Sequence, residues 1–378
     1  VQGRSPPDTR PDHKRSLLGQ IKAQFRGAFI VNLCYNGGSL FPGSFAYYAA
    51  PQVVSHDQFF VSPANTVVGF KLSGLTFGSA VITGAMDVNL RSPQPLVTPN
   101  SLLPQFYDVH LQVDLEHWRI IVGQYFDVIL PILPDTINSY PAGYLPGALG
   151  YVAPAVRLDS RFPIGQSFQF VAQAAASRPT PTFQISDELL GRQAGAPDGQ
   201  GRVALALGRS EKPWERPFEL GISGHFGGRR ATVISTIQDV TYSTWSLAGD
   251  LRLLLHTGTL IKGRIFMGQA LGEFAAGIFQ TINNDTLVPI RAWGFWLQAQ
   301  QRISDRWRVT LGYGRDNAND ADLSDGDRRF NEEGFGNLLW EATRTIGFGA
   351  EGSRWRTGYH DAATTTVWRA DTLFFLHF

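Results

Sequence analysis

The chain has 378 residues, with 33 Lys plus Arg against 32 Asp plus Glu, a balance too even for the one-signed field that draws a protein to nucleic acid. Forty Gly, 26 Phe and 9 Trp accompany only 17% charged residues, below the ~25% of an average soluble chain, which points to a glycine-turned, aromatic-rich β protein. The single Cys34 excludes an intramolecular disulfide, and neither a Cys/His cluster nor a cofactor motif suggests a metal centre or bound cofactor.

Residues 1–18 (VQGRSPPDTRPDHKRSLL) mix proline with charge and lack both the apolar core of a signal peptide and coiled-coil heptads. They are expected to be a periplasmic extension of a mature chain whose signal has been removed, leaving residues 19–378 for the main fold. The stretch from Gly27 to Ser55 has no charge. Asn32, Asn36, Gly37, Gly38, Pro42, Gly43 and Pro51 interrupt it too often for a helix of ~20 apolar residues.

From about Gln20 onward the dominant signal is period-two alternation, in segments of about ten residues broken by Gly, Pro, Asn or Asp. Between Gln105 and Leu115, Tyr107, Val109, Leu111, Val113 and Leu115 share one face, and Asp108, His110, Gln112 and Asp114 the other. A helix would mix the two sets. Segments begin near Gln20, Thr66, Gly78, Gln105, Trp118, Tyr151, Gln166, Gly201, Pro217, Arg229, Thr244, Gly258, Val288, Arg306, Glu333, Gly352 and Thr364. That tally is 17, and bacterial single-chain barrels use an even number of strands, so about 16 are expected, with 18 as the alternative.

A soluble barrel also alternates, so the ends of the strands decide the class. Tyr107, Trp118, Phe126, Trp245, Trp293, Trp307 and Trp368 sit there, as in the aromatic girdles of a lipid-facing belt. The expected fold is therefore an all-β, transmembrane antiparallel β-barrel in a Gram-negative outer membrane, in contact with lipid and lipopolysaccharide. Three long connections stand out: the Pro-rich 126–150, the Pro/Gly-rich 177–201 and the acidic 316–333. The first is expected to fold inward as a constriction loop.

The terminal strand is the clearest segment. Trp368, Ala370, Thr372, Phe374, Leu376 and Phe378 alternate to the carboxyl end, and Phe374, Leu376 and Phe378 form the expected assembly signal. Arg369 and Asp371 face the other way with the apolar Leu373 and Phe375, which are expected to narrow the periplasmic mouth, packed against the N-terminal segment.

Several motifs carry little chemistry. Gly347-Phe-Gly349-Ala-Glu-Gly352 fits G-x-G-x-x-G, but a dinucleotide site needs a βαβ unit, and Arg354, Trp355 and Arg356 continue as a strand. Asp316, Asp320, Asp322, Asp325 and Asp327 miss calcium-loop spacing and suit a solvated outer loop, with divalent bridging to lipopolysaccharide the sharper option. There is no G-x-S-x-G and the His residues are scattered, so no enzyme is expected; His110 and His225 read as polar wall residues.

By parity the polar face carries Lys22, Arg26, Arg119, Arg157, Arg161, Arg252, Lys262, Arg264, Arg306, Arg308, Arg354, Arg356 and Arg369. Against these stand Asp87, Asp108, Asp114, Asp159, Glu219, Asp250, Glu341 and Asp371, so the lumen is expected to be net positive. Rings of Arg and Lys favour anions, and the Arg fork meets carboxylates two bonds at a time.

The order of features from Ser62 to Phe162 resembles the DcaP-like porins. A Ser-Pro-Ala-Asn segment leads into a strand over 66–72, and a later strand reads Trp118-Arg-Ile-Ile-Val-Gly123-Gln124-Tyr125-Phe126. A Pro-rich loop with Pro134-Asp135-Thr136-Ile137 follows, then a strand with Arg157 and Arg161. The resemblance covers about a quarter of the chain, and the remainder matches as a generic barrel. It implies a homotrimeric, 16-stranded channel for passive diffusion of small hydrophilic solutes, preferring small carboxylates and related anions. Its constriction would be built from Asp127, Pro134, Asp135 and Thr136. Its basic wall would use Arg119, Arg157 and Arg161, and Arg252 and Arg264 of the polar face complete the expected anion-binding set. The apolar run Val128, Ile129, Leu130, Ile132 and Leu133 departs from an all-polar constriction. The alternative is a structural or partner-binding barrel with an occluded lumen.

Overall fold

The computed structural model describes residues 21–51, 56–90, 104–140, 143–178, 195–208, 216–233 and 238–378. The expected 1–18 extension and most of the 177–201 connection lie outside them. Strands run in the order β1 (Lys22–Asn36), β2 (Leu40–Pro42), β3 (Ala46–Ala49), β4 (Gln58–Ser62), β5 (Val67–Phe77), β6 (Ala80–Asn89), β7 (Gln105–Asp114), β8 (Trp118–Phe126), β9 (Val152–Ile164) and β10 (Phe168–Ser177). The series continues with β11 (Asp198–Leu207), β12 (Phe218–Val233), β13 (Gln238–Leu254), β14 (Thr259–Gln269), β15 (Arg291–Arg302), β16 (Trp307–Ala318), β17 (Arg328–Glu341), β18 (Ile346–Tyr359) and β19 (Ala362–His377).

Consecutive strands from β5 to β19 pair antiparallel, and β1 closes the ring. Its residues 28–36 pair with β19 on one side, and β4 and β5 lie on the other. Between Asn32↔Ser62 and Ala28↔Val67, three β1 residues face four residues of the partner, which is a one-residue bulge. Pro63 cannot donate to a ladder, and Thr66 fills the gap: its hydroxyl accepts from the Ile30 amide and donates to the Ile30 carbonyl, both at 3.1 Å. β4 and β5 are thus one interrupted stave, and the barrel has sixteen.

The seventeenth segment in the sequence comes from splitting β12 at Gly227-Gly228. The strand runs through this pair, in register with β13 from Phe218 to Val233. Gly227 faces inward beneath the Asp198–Arg229 ion pair, and a Cβ there would collide with the Asp198 carboxylate. The glycine makes room for a charge pair instead of a turn.

One rim holds short turns, including 78–79, 115–117, 165–167, 255–258 and 303–306, together with the chain end; the other holds the long connections. In transmembrane barrels short turns are periplasmic. Near the short-turn rim Trp307, Trp340, Phe348 and Phe374 stack across four neighbouring strands, with ring centroids 5.7, 5.6 and 5.2 Å apart. Above this girdle the outward positions are exposed and apolar, among them Leu311, Leu338, Leu297, Ile265 and Ile222. This is the lipid-facing belt of a transmembrane barrel.

β19 alternates as the sequence predicts. Phe374, Leu376 and Phe378 lie outward, and Arg369, Asp371, Leu373 and Phe375 are buried inward. Phe378 exchanges two backbone hydrogen bonds with Gly27, at 3.0 and 3.1 Å, and its ring stacks on Phe25. The 1–18 segment against which Leu373 and Phe375 are expected to pack lies outside the described residues. Their described partners are Ala28, Ile30, Ile137, Tyr140 and Leu339, with the Tyr140 ring stacked on Phe375 at 5.7 Å.

A sixteen-stranded ring is too wide for its own side chains to fill. Here three connections fold into it: 37–51 with the β2–β3 hairpin, 127–140 with 143–151, and 270–283. Phe45, Tyr47, Tyr144, Leu145 and Phe279 from the loops form an apolar cluster with the inward wall residues Trp296, Phe335, Trp355 and Val367. The rings of Tyr47, Tyr144 and Phe279 touch pairwise, with centroids 4.6 to 5.5 Å apart. Only the middle loop was expected inside.

Candidate functional site

The 127–151 loop is fastened to the wall by side chains that satisfy its own polar backbone. Glu351 on β18 accepts from the Thr136 hydroxyl at 2.8 Å, the Ile137 amide at 2.7 Å and the Asn138 amide at 3.3 Å. Gln298 on β15 accepts from the Asp135 amide at 2.8 Å and donates to its carboxylate at 2.5 Å. Gln200 on β11 accepts from the Val128 amide and donates to Asp127, while Asp127 accepts from the Tyr151 amide and closes the loop's base. A buried donor left without a partner costs about 1–3 kcal/mol, so these contacts hold one conformation.

The loop's far end presses on the wall. Gly147 has φ +89°, and a Cβ there would run into the Phe295 carbonyl. A Cβ on Gly314 would meet the Pro146 carbonyl in the same way. Only glycine permits so close an approach of two backbones.

Beside the loop lies a cavity of about 570 Å³ against strands β8–β14. Leu130, Pro131, Ile132, Leu133 and Pro134 form its apolar side. Facing them are six cations, Arg157, Arg161, Arg202, Arg216, Arg252 and Lys262, and three carboxylates, Asp135, Glu219 and Asp250. Six against three leaves a net charge of +3 along the lining.

Those cations are held to different degrees. Arg157 forks onto Asp159 at 2.7 and 3.1 Å, donates to the Phe126 carbonyl at 2.9 Å and lies over the Tyr125 ring. Arg202 is buried between Asp250 at 2.5 Å and Glu219 at 2.8 Å, with Gln173 as a third acceptor. Lys262 reaches Asp135 at 2.7 Å and the Leu133 carbonyl at 2.6 Å, tying loop to wall. Arg161 stands 3.7 Å from Glu219. Arg252 donates to the Arg216 carbonyl and Arg216 to the Gly208 carbonyl; among the described residues neither has a carboxylate within ion-pair distance.

Of the residues the sequence nominates, Arg157, Arg161, Arg252, Pro134 and Asp135 line this cavity. Arg119 faces inward on β8 but pairs with Asp114 at 2.6 Å outside the lining. Arg264 is buried behind the loop and donates to the Leu149 carbonyl at 2.9 Å. Asp127 and Thr136 are fasteners on the loop's hidden side. Phe126 belongs to the cavity lining as well as to a strand end. His110 and His225 are inward: His110 bonds Asp108, and the buried His225 lies between Ser246 at 2.6 Å and Thr244 at 3.0 Å.

Arg354 and Arg356 are a correction, because both point outward. Trp355 between them is fully buried in the lumen among the loop aromatics. Parity assumed that the bulky apolar residue faces lipid, but the inward loops give it an apolar environment inside. Arg202 is absent from the sequence-based set above, although Gln200 and Arg202 alternate with Gly201, Val203 and Leu205 in the usual way. Arg216 is absent as well, because it lies outside the strands and has no periodic signal.

No family model matches the sequence, and no curated protein matches it. Solved structures do. The outer-membrane channel DcaP of Acinetobacter baumannii superposes with a TM-score of 0.75 at 14% identity, covering 95% of this chain and 98% of that one. The fold is that of an outer-membrane porin. An anion-selective porin from Comamonas acidovorans aligns with a TM-score of 0.64 at 9% identity, over 95% of this chain and 100% of that one. The trimer form of OmpT, an outer-membrane protein of Vibrio cholerae, gives 0.59 at 10% identity over 95% and 100%. These likenesses concern the fold, which explains why a porin-like barrel is recognisable here with almost no shared sequence.

Proposed function

We propose that the chain is an outer-membrane porin through which small hydrophilic solutes diffuse passively, with a preference for small carboxylates and related anions. The observation that carries this is the lining of the cavity beside the inward loop: six cations against three carboxylates. Low-dielectric walls focus such a field and raise the local concentration of counter-ions. Arg216 and Arg252 have only carbonyl partners among the described residues, so their forks are the ones offered to a passing carboxylate.

The anion-selective porin among the solved structures of this fold supports the preference, and the OmpT trimer form supports a homotrimer. Phe374, Leu376 and Phe378 serve as the assembly signal in this account; removal of Phe378 should lower insertion into liposomes by the assembly machinery. Proteoliposome swelling with acetate or succinate against equally sized neutral and cationic solutes tests the transport role. Faster entry of the carboxylates supports it, and no swelling with any solute would overturn it.

The second reading, a structural barrel with an occluded lumen, draws on the apolar cluster that three loops build inside the wall. Ion passage separates the two, because an occluded barrel gives no conductance step in a planar bilayer.

A further inference from the structure

The outward face of β13–β17 near the long-loop rim holds a second concavity, about 600 Å³ in volume. Its apolar side is made by Trp245, Met267, Trp293 and Phe330 on the lipid-facing surface. Its other side carries Arg291, Arg315 and Arg329, and among the lining residues the only carboxylate is Asp320. Three guanidiniums against one carboxylate make a cationic cap on an apolar pocket, placed where the belt ends.

The guanidiniums are pre-arranged. Arg291 forks onto Asp322 at 2.7 and 2.8 Å, and Arg329 is 3.0 Å from Asp320. Behind them Glu332 gathers Arg315 at 3.1 Å, Arg356 at 3.3 Å and the Tyr313 hydroxyl at 2.9 Å. Arg315 and Arg356 also stack on Phe330, at 4.9 and 5.2 Å from the ring centroid. Each carboxylate orients a fork while leaving part of it exposed: the Arg291 and Arg329 side chains are both 55% exposed.

We propose that this concavity binds an anionic, phosphate-bearing membrane lipid, one acyl chain lying between Trp293, Met267 and Trp245 and the headgroup phosphate meeting Arg291, Arg315 and Arg329. The occupant follows from charge and position together. The pocket straddles the edge of the apolar belt, so a ligand must carry both a chain and an anion, and arginine forks match phosphate oxygens in geometry. A free anion would leave the apolar side uncovered, and a lipid without an anionic headgroup would offer no charged acceptor to the exposed parts of the Arg291 and Arg329 forks. The site lies outside the lumen and does not depend on what the pore conducts.

The test uses the whole barrel in phosphatidylcholine nanodiscs doped with brominated-chain phosphatidic acid or brominated-chain phosphatidylcholine, reading tryptophan quenching. The phosphatidic acid should half-quench at a mole fraction several-fold lower, and because each basic residue near a membrane surface contributes about fivefold in affinity, Arg315→Gln with Arg329→Gln should bring the two lipids together. Trp245→Phe with Trp293→Phe, which keeps all three arginines, should remove most of the difference in signal and covers the case in which the arginine variant does not fold. Millimolar inorganic phosphate should leave the preference intact. Equal quenching by both lipids, a preference that survives the arginine substitutions, or displacement by free phosphate would each overturn the proposal. So would protection from both lipids, the result expected if a second copy of the chain occupies the surface.

Discussion

The two halves of the barrel interior are built on opposite principles. Against β1 and β15–β19, inward aromatic and aliphatic side chains meet loop residues of the same kind, and the space is a packed core: Trp296, Trp355 and Leu145 are essentially inaccessible. Against β8–β14 the wall carries most of the lumen's arginines; the 270–290 connection packs on β12–β14 through Glu273 and Phe274, but beside residues 130–135 a cavity remains. The same strand alternation serves both halves. Around the cavity the inward positions include Arg157, Arg161, Arg202, Arg252 and Lys262, and around the loop cluster Trp296, Phe335, Trp355 and Val367, so the open space lies to one side of the packed loops instead of along the barrel axis.

The largest expected effect comes from breaking the packed half. Trp355→Ala removes a fully buried indole that touches the loop cluster and should cost about 3–5 kcal/mol. The temperature at which the folded barrel converts to the unfolded form on a gel should drop clearly. If the packed half is what keeps the loops still, current noise should rise as well. A variant with unchanged heat stability would show that the loops do not lean on this wall.

Loosening the boundary between the halves should have the next largest effect. Glu351→Ala leaves the Thr136 hydroxyl and the Ile137 and Asn138 amides without their acceptor, at about 1–3 kcal/mol for each group that finds no other partner. Hydrogen exchange at residues 136–138 should accelerate while exchange in β12 and β13 stays slow. Gly147→Ala acts at the opposite end of the same loop. A left-handed backbone and the Phe295 carbonyl both oppose the methyl group, at a cost of about 1–3 kcal/mol. Accelerated exchange spread evenly over the barrel would contradict a locally fastened loop.

The smallest effect lies outside both halves. In the 319–327 loop, hydrogen bonds from Arg291 hold the Asp322 carboxyl below the usual aspartate range. A depressed folded value means that the contribution is present above the unfolded aspartate value, near 3.9, and is lost as pH falls through the folded one. Asp322→Asn should therefore raise loop exchange at neutral pH, by no more than about 1 kcal/mol for so exposed a partner. The two proteins should converge in strong acid.

Much of this was legible in the residues because lipid imposes a simple code. Within the belt outward positions must be apolar, so strands, girdles and the β19 ending at Phe378 can be read by alternation. The interior obeys no such code. Trp355 is as apolar as any lipid-facing residue, and only the loops make it an inward one, which is why Arg354 and Arg356 were assigned to the wrong face. The inward folding of 37–51 and 270–283 left a fainter trace: both are nearly free of charge, unlike a solvated outer loop, with Glu273 the one acid in 270–283 and no acid or base in 37–51. Gly227-Gly228 looked like a turn because the pattern of one strand cannot display an ion pair between Asp198 and Arg229 that needs the space.

Passage of solutes beside the arginine wall is tested most directly by the reversal potential of a planar bilayer in a salt gradient, before and after Arg161→Glu with Arg252→Glu. The native barrel should give an anion-selective potential that moves toward cations in the double variant, with conductance retained. A cation-selective native barrel, or a potential that the two substitutions leave unchanged, would contradict it.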